Sequence, residues 1–271
     1  MAKFFVCSVY EKQLNANFSG NDLLVWQTNA DSLHSKLPEL KARMAASPRQ
    51  VDIVILNEIW PKNNRFNLTE AELHIPGYST HITQLTNGRG VGIYIRNGIG
   101  NSEANIISNF NEFLAVEINL SRGDRLLLCT IYRSPNSAAE NNDNLNDLLS
   151  AIHEYPATHK LIGGDFNFPN INWNSWTATD GPASKFLDTI ISTYWTQHVT
   201  LATRQRGNDE PSLLDLVLSN EENMIDTIDY ESPLGKSDHS VLCYKFQCRP
   251  IQHKGKFLKY YFNRGNYANL T

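Results

Sequence analysis

Short apolar runs recur along the chain, each closed off by turn-forming residues: Leu23 to Trp26, Val51 to Leu56, Val91 to Ile95, Phe113 to Ile118, Leu126 to Tyr132, Lys160 to Ile162, Leu214 to Leu218 and Val241 to Phe246. Their length and β-branched content predict strands. Between them, Ser32 to Ala46, Asn141 to His153 and Lys185 to Tyr194 place apolar residues three and four apart, the spacing of one helix face. The order is strand, helix, strand, a cluster of strands, then helix and strand again. It describes an α/β protein with a mixed sheet and helices outside.

Composition supports a packed core, with 41% hydrophobic and 19% charged residues in 271. The expected division is an N-terminal flank over 1–20, one folded domain over 21–248 and a basic C-terminal linker over 249–271. Formal net charge is −4, but Arg249 to Arg264 holds five Lys or Arg and no acid, so the remainder carries −9. An acidic body suits a phosphate-handling protein only where its acids gather around a divalent cation that inverts the local field. Cys7, Cys129, Cys243 and Cys248 show no paired metal spacing and read as reduced and mostly buried. No run approaches the roughly 20 apolar residues of a membrane span, and Met1 to Tyr10 lacks a signal-peptide cleavage site. The expectation is an intracellular protein, nuclear or cytoplasmic, with no membrane partner.

Candidate chemistry gathers at the ends of the predicted strands. Gly163-Gly164-Asp165-Phe166-Asn167 follows a strand, and in an extended segment a carboxylate and a carboxamide two apart project from one side. Taken alone, an ordinary turn explains it better, because Gly, Asp and Asn dominate turns for conformational reasons. Ser237-Asp238-His239 opens the last strand, where an imidazole beside an acid offers acid–base chemistry or merely a surface turn. Glu58 ends a nearly all-apolar strand, a place suited to Mg²⁺ ligation or simply to solvation. Asn29 follows the first strand, and Asp31 or Ser32 beside it reads first as a helix cap. Tyr132-Arg133 offers a phenol and a guanidinium for a phosphate oxygen. Asp215 lies within an apolar run, so burying it requires a partner, and His239 is the natural one.

Each signal is weak, but all fall at or beside strand ends, in the chain order Asn29, Glu58, Tyr132, Asp165, Asn167, Asp215, Asp238, His239. From about Leu23 to Phe246 this order resembles the endonuclease/exonuclease/phosphatase superfamily. Phrases such as "YRSPNS", "GGDFNFPNINW", "TRQRGNDEPSLLDLVLSN" and "SPLGKSDHSVL" are similar to the endonuclease domains of LINE-type non-LTR retrotransposons of the CR1 and Jockey groups. The resemblance implies a DNase I-like four-layer α/β sandwich, two packed mixed β-sheets flanked by helices. It implies a Mg²⁺-dependent (or Mn²⁺-dependent) DNA endonuclease that leaves a 3′-hydroxyl and a 5′-phosphate, truncated here before a reverse transcriptase. Other readings are a phosphoinositide or phospholipid phosphoesterase of the same fold, an apurinic repair enzyme and a catalytically silent retrotransposon-derived domain.

The resemblance also distributes roles. Glu58 would be the principal metal ligand, with Asn29 and Asp238. Asp165 would orient or deprotonate water, Asn167 and Tyr132 would hold the phosphate, and His239, oriented by Asp215, would donate to the transition state. Arg133, Ser212 and Arg204 would contact phosphate or DNA, and Arg89, Arg206 and Lys185 are looser candidates for the DNA backbone.

Overall fold

A computed structural model describes residues 9–11, 22–61, 69–85, 88–251 and 258–260. One six-stranded sheet runs in the order β14 (Ile228–Glu231), β15 (Val241–Phe246), β2 (Leu23–Asn29), β3 (Ile53–Asn57), β5 (Gly90–Arg96), β4 (Tyr78–Gln84). The other runs β12 (Thr196–Gln197), β13 (Asp215–Ser219), β9 (His159–Asp165), β8 (Arg125–Tyr132), β7 (Phe113–Asn119), β6 (Asn101–Glu103). Each sheet holds one parallel pair, β2 with β3 and β8 with β9. Parallel neighbours need a crossover, and helices α1 (Leu37–Ala46) and α2 (Ala139–Glu154) supply them. Helix α3 (Gly181–Ser192) packs beside α2, a short hairpin pairs β10 (Ile171–Asn172) with β11 (Thr177–Ala178), and β1 (Val9–Glu11) pairs with β16 (Leu258–Tyr260).

The apolar runs lack a two-residue period because their strands are covered on both faces. Ile53, Ile55, Leu126 and Leu128 point between the sheets, into a cluster with Val91, Ile93 and Ile95. Val54 and Leu56 face α1, meeting its Leu37, Leu40 and Met44. Leu127, Cys129 and Ile131 face the other helices, against Leu145, Leu148, Leu149 and Ile152 of α2 and Phe186 and Ile190 of α3. Helix, sheet, sheet and helix form the expected four-layer sandwich. Cys129, Cys243 and Cys248 are buried free thiols, and Cys7 lies outside the described residues. Among the described residues no helix is long and apolar enough to cross a membrane.

Boundaries differ from the sequence reading where loop chemistry intervenes. The first helix begins at Leu37, after a 3₁₀ turn over His34–Lys36, because Asp31 (φ 38°) and Ser32 (φ 73°) take left-handed backbone. Neither caps that helix. Helix α3 starts at Gly181, ahead of the expected Lys185, with Asp180 capping Ala183 N at 2.8 Å and a proline in its first turn. Strand β4, with the sequence YSTHITQ, falls outside the apolar runs; it is a polar edge strand paired only with β5. The expected N-terminal flank and basic linker lie mostly outside the described residues.

The topology gathers the polar strand ends at one edge of the sandwich. In the parallel pairs, Asn29 lies opposite Asn57, and Tyr132 opposite Asp165. The antiparallel neighbours begin where these end: Asp215 opens β13 opposite Asp165, and His239 precedes β15, which runs beside β2. Ligands of open α/β sheets lie outside the carboxyl ends of parallel strands, and here two such edges face one another.

Candidate active site

Buried amides lock the two sheets together beneath this edge. Gln27 donates to Leu216 O at 3.0 Å and accepts from the Tyr244 hydroxyl at 3.3 Å. It passes where a Cβ on Gly163 would stand 2.2 Å from its Oε1, so the first glycine of the Gly-Gly pair is a packing requirement. A Cβ on Gly164 would stand 1.9 Å from the Ile131 carbonyl oxygen. Asn57 donates to Ile131 O at 3.1 Å and accepts from Asp165 N at 3.1 Å, so one sheet fixes the strand-end backbone of the other.

Asp165 is 1% exposed. Its carboxylate accepts from Asn29 Nδ2 at 2.9 Å and from Asn167 N at 3.2 Å. Burial raises its pKa above the usual carboxylate range, opposed by the nearby His239 and assisted by Asp215. Asp215 Oδ2 pairs with His239 Nδ1 at 2.7 Å, while the Asp215 amide donates to Thr203 Oγ1 at 3.0 Å. Asp215 Oδ1 is buried with no hydrogen-bond partner among the described residues, so its charge is directed onto the imidazole. Burial alone would lower the His239 pKa; Asp215, Asp165, the Asp215 hydrogen bond and Asp238 outweigh it and raise the imidazole above 6.5. His239 Nε2 stands 3.8 Å from both Asp165 Oδ2 and Asp238 Oδ1, too far for a direct hydrogen bond, and faces the cleft.

Glu58 takes φ 51°, a conformation uncommon outside glycine, and Asn167 takes the same value. Tyr132 donates to Glu58 Oε1 at 3.0 Å, and Arg89 pairs with Glu58 Oε2. The same Arg89 Nη2 lies 3.1 Å from Asp31 Oδ1. Burial and the neighbouring carboxylates hold the Tyr132 phenol protonated by raising its pKa. Asp238 is gripped by Arg204, with Nε and Nη2 each 3.0 Å from Oδ2. Ser237 hydroxyl closes the edge, donating to Asn29 O at 2.8 Å and accepting from His239 N at 3.2 Å.

A cleft of about 490 Å³ is lined by Asn29, Asp31, Glu58, Arg89, Asp165, Asn167, Arg204, Asp238 and His239 together. A slightly larger groove of about 510 Å³ beside the β10–β11 hairpin has no titratable side chain in its lining, so the chemistry belongs to the former. Asp165, Asp215 and His239 also present ligand atoms within 4.8 Å of one another. The Asp215–His239 hydrogen bond suits an acid–base group better than an ion site. Glu58 and Asp31, by contrast, already share one cationic nitrogen, and their hard oxygen donors at the cleft fit a magnesium-like ion.

Several expectations take a different form. Arg133 is buried beneath the edge rather than facing the cleft: it donates to Asn142 Oδ1 at 2.7 Å and Asn167 O at 2.8 Å and lies over the Phe168 ring. Asn167 Nδ2 donates to Arg133 O at 2.8 Å. Ser212 is half-buried in a backbone bridge with Arg204. Lys185 pairs with Asp143 on the helical surface. Asn57 and Thr203 carry part of the site's positioning and are absent from the sequence-based set, while Ser237, read there only as part of the Ser237-Asp238-His239 motif, joins them. Asn57 stands at the end of an apolar run where a buried amide needs partners, which is a readable signal; Thr203 lies in a loop with no periodicity.

The two sheets and flanking helices make a DNase I-like four-layer fold with a polar cleft at one edge. Residues 126–243 match the family model described as endonuclease-reverse transcriptase, a span that contains Tyr132, Asp165, Asn167, Asp215, Asp238 and His239. The fold is that of DNase I-like nucleases and phosphatases, and the matched segment is similar to endonucleases that accompany reverse transcriptases. No curated protein matches its sequence. The endonuclease domain of TRAS1, a telomere-specific non-LTR retrotransposon, shares the fold at TM-score 0.62 and 15% identity, over 86% of this chain and 100% of that one. AP endonuclease LMAP from Leishmania major does so at 0.65 and 13%, over 92% and 93%. The 3′ phosphatase NExo from Neisseria, bound to a product DNA hairpin, gives 0.59 and 14%, over 83% and 99%.

Proposed function

We propose that this domain is a divalent-metal-dependent DNA endonuclease that nicks one strand, leaving a 3′-hydroxyl and a 5′-phosphate. The observation that carries the reading is the pair of opposed charge states at one edge: a carboxylate, Asp165, poised to accept a proton, beside an imidazole, His239, held protonated by Asp215. Two titratable groups pushed apart in this way mark an acid–base division of labour.

Asp165 accepts the proton of a water aligned on phosphorus, with Asn29 and the Asn167 amide fixing the carboxylate. Oxygen from that water adds to phosphorus as the bond to the 3′-oxygen breaks, and the leaving oxygen takes a proton from solvent to become the 3′-hydroxyl. The Nε2–H of His239 donates to a non-bridging oxygen as charge develops there. Asn167 and Tyr132 hold the phosphate. Glu58, with Asn29, Asp238 and the adjacent Asp31, would hold Mg²⁺ or Mn²⁺, whose chemistry at this place is neutralisation of phosphate and leaving-group charge. Arg204 and Arg206, on the cleft wall, meet the DNA backbone. The 3′-hydroxyl is the group that a reverse transcriptase extends, which accounts for pairing this domain with one in a parent polypeptide.

Nicking of supercoiled plasmid by the purified domain tests the reading, with Mg²⁺, with EDTA, and with Glu58→Ala and His239→Ala proteins. Metal-dependent open circles that vanish in both variants are expected. Folded wild-type protein that leaves plasmid intact with Mg²⁺ and with Mn²⁺ would end it.

A further inference from the structure

The acidic corner of the cleft is filled by a side chain of the protein itself. Arg89 immediately precedes β5 and is 4% exposed. Its Nη2 bridges Glu58 Oε2 and Asp31 Oδ1, while Nη1 donates to Trp60 O at 3.2 Å. Its backbone is pinned as well, the Arg89 carbonyl accepting from Leu85 N at 2.7 Å. Next to it, Gly90 leaves room for the Trp60 ring, which a Cβ there would meet at 2.1 Å. This is a guanidinium built into the floor of the site.

The other described cations nearby are committed elsewhere. Lys36 Nζ donates to the Ala30 and Asp31 carbonyls at 2.5 and 2.6 Å, and Arg204 holds Asp238. Arg89 is therefore the described cation in direct contact with both Glu58 and Asp31, with Lys36 acting on them at longer range. A divalent ion seeking the same oxygens meets a fixed like charge and has to take Glu58 Oε2 from it.

From this geometry we infer that Arg89 is a resident counter-ion for Glu58 and Asp31 that competes with the divalent metal and sets the affinity of the cleft for it. The inference rests on the reading of the cleft as a metal site. In the metal-free protein Arg89 holds Glu58 in place; on binding, part of that pairing is surrendered, so apparent affinity is reduced by the fraction of sites whose Glu58 is engaged. Arg89→Met removes the competitor and its repulsion, and is expected to tighten metal binding by about tenfold or more, since like charges a few ångströms apart in a protein cleft interact by more than about 1.4 kcal/mol. Arg89→Lys keeps the charge, but a single ammonium on a shorter stem spans the two carboxylates less well, and its affinity should fall between the two.

The test is direct Mn²⁺ binding to the DNA-free domain by calorimetry or electron paramagnetic resonance, on wild type, Arg89→Met and Arg89→Lys. Affinity that falls in the order Met, Lys, wild type supports the inference, as does binding seen in the Met variant alone. Arg89→Met binding that is equal to or weaker than wild type overturns it and leaves the metal site standing. Absence of binding in all three proteins overturns the metal reading and this inference with it. If Arg89→Met fails to fold, Arg89→Lys decides: a dissociation constant below that of wild type supports the inference, and one equal to or above it overturns the inference.

Discussion

Asp215→Asn is the perturbation whose consequence is most sharply set by geometry. Asp215 is 1% exposed, and its Oδ2 lies 2.7 Å from His239 Nδ1. Replacing the carboxylate with an isosteric amide keeps the shape and removes the charge that does most to hold the imidazole protonated. A charge-assisted hydrogen bond of this kind contributes about 1.5–3 kcal/mol, and at about 1.4 kcal/mol per pKa unit the His239 value should fall by about one to two units. Burial continues to depress it while Asp165 and Asp238 still raise it, so it should settle between the ordinary 6.5 and the wild-type value of about 10. In the mechanism above His239 works protonated, so the alkaline limb of the rate profile moves down by the same one to two units. At neutral pH the loss of charge and of imidazole orientation together should lower the nicking rate about 10²–10⁴-fold.

Stability should respond with a defined sign. A histidine whose folded pKa is raised stabilises the fold fully below its unfolded pKa, and that stabilisation is lost as pH rises through the folded value. The unfolded contribution cancels between wild type and Asp215→Asn, so the gap stays open up to the variant's folded value, about one to two units lower, and closes as pH rises from there to about 10. Initial nicking rates at saturating metal, taken across that same pH window, give the limb; urea unfolding over it gives the gap. An Asp215→Asn protein with the wild-type alkaline limb would refute the reasoning, whatever its overall rate.

Other substitutions test the supporting structure. Gly163→Ala should cost about 1–3 kcal/mol in denaturant unfolding, because its Cβ strikes a side-chain end that can yield; Gly164→Ala should cost more, because its Cβ strikes backbone. Thr203→Val removes the acceptor for the Leu214 and Asp215 amides, and should lower unfolding free energy by about 1–3 kcal/mol with the alkaline limb of activity unmoved. Arg133→Met should reduce the rate of nicking through a displaced Asn167, with DNA affinity in a filter-binding assay changed less than about threefold, since a buried guanidinium neutralises no phosphate.

Much of this site is legible in the sequence because sheet topology converts strand ends into neighbours. Asn29, Glu58, Tyr132, Asp165, Asp215 and His239 stand where apolar runs stop or start, or interrupt one, and the parallel pairs bring those points to one edge. The four-layer arrangement itself comes through family resemblance, since runs buried on both faces carry no period that separates one sheet from two. Partners are harder to read. A strand-end arginine looks the same whether it faces a cleft or a helix, and Arg133 turns inward beneath Asn167. Arg89 likewise reads as a loop cation for DNA, but its place beside Glu58 and Asp31 depends on two loops distant in sequence. Polar β4 is invisible because edge strands need no apolar run. The left-handed backbone at Asp31, Ser32, Glu58 and Asn167 has no single-residue signature, yet it turns the chain at the cleft edge.

The central claim is that this cleft cuts a DNA strand to leave ends suited to extension. Its most direct test is to nick supercoiled plasmid with the domain and Mg²⁺, remove the protein, and add DNA ligase. Open circles that form only with metal and are resealed by ligase are the predicted result, since sealing requires a 3′-hydroxyl beside a 5′-phosphate. Nicks that ligase leaves open, or plasmid left uncut by folded protein, would contradict it.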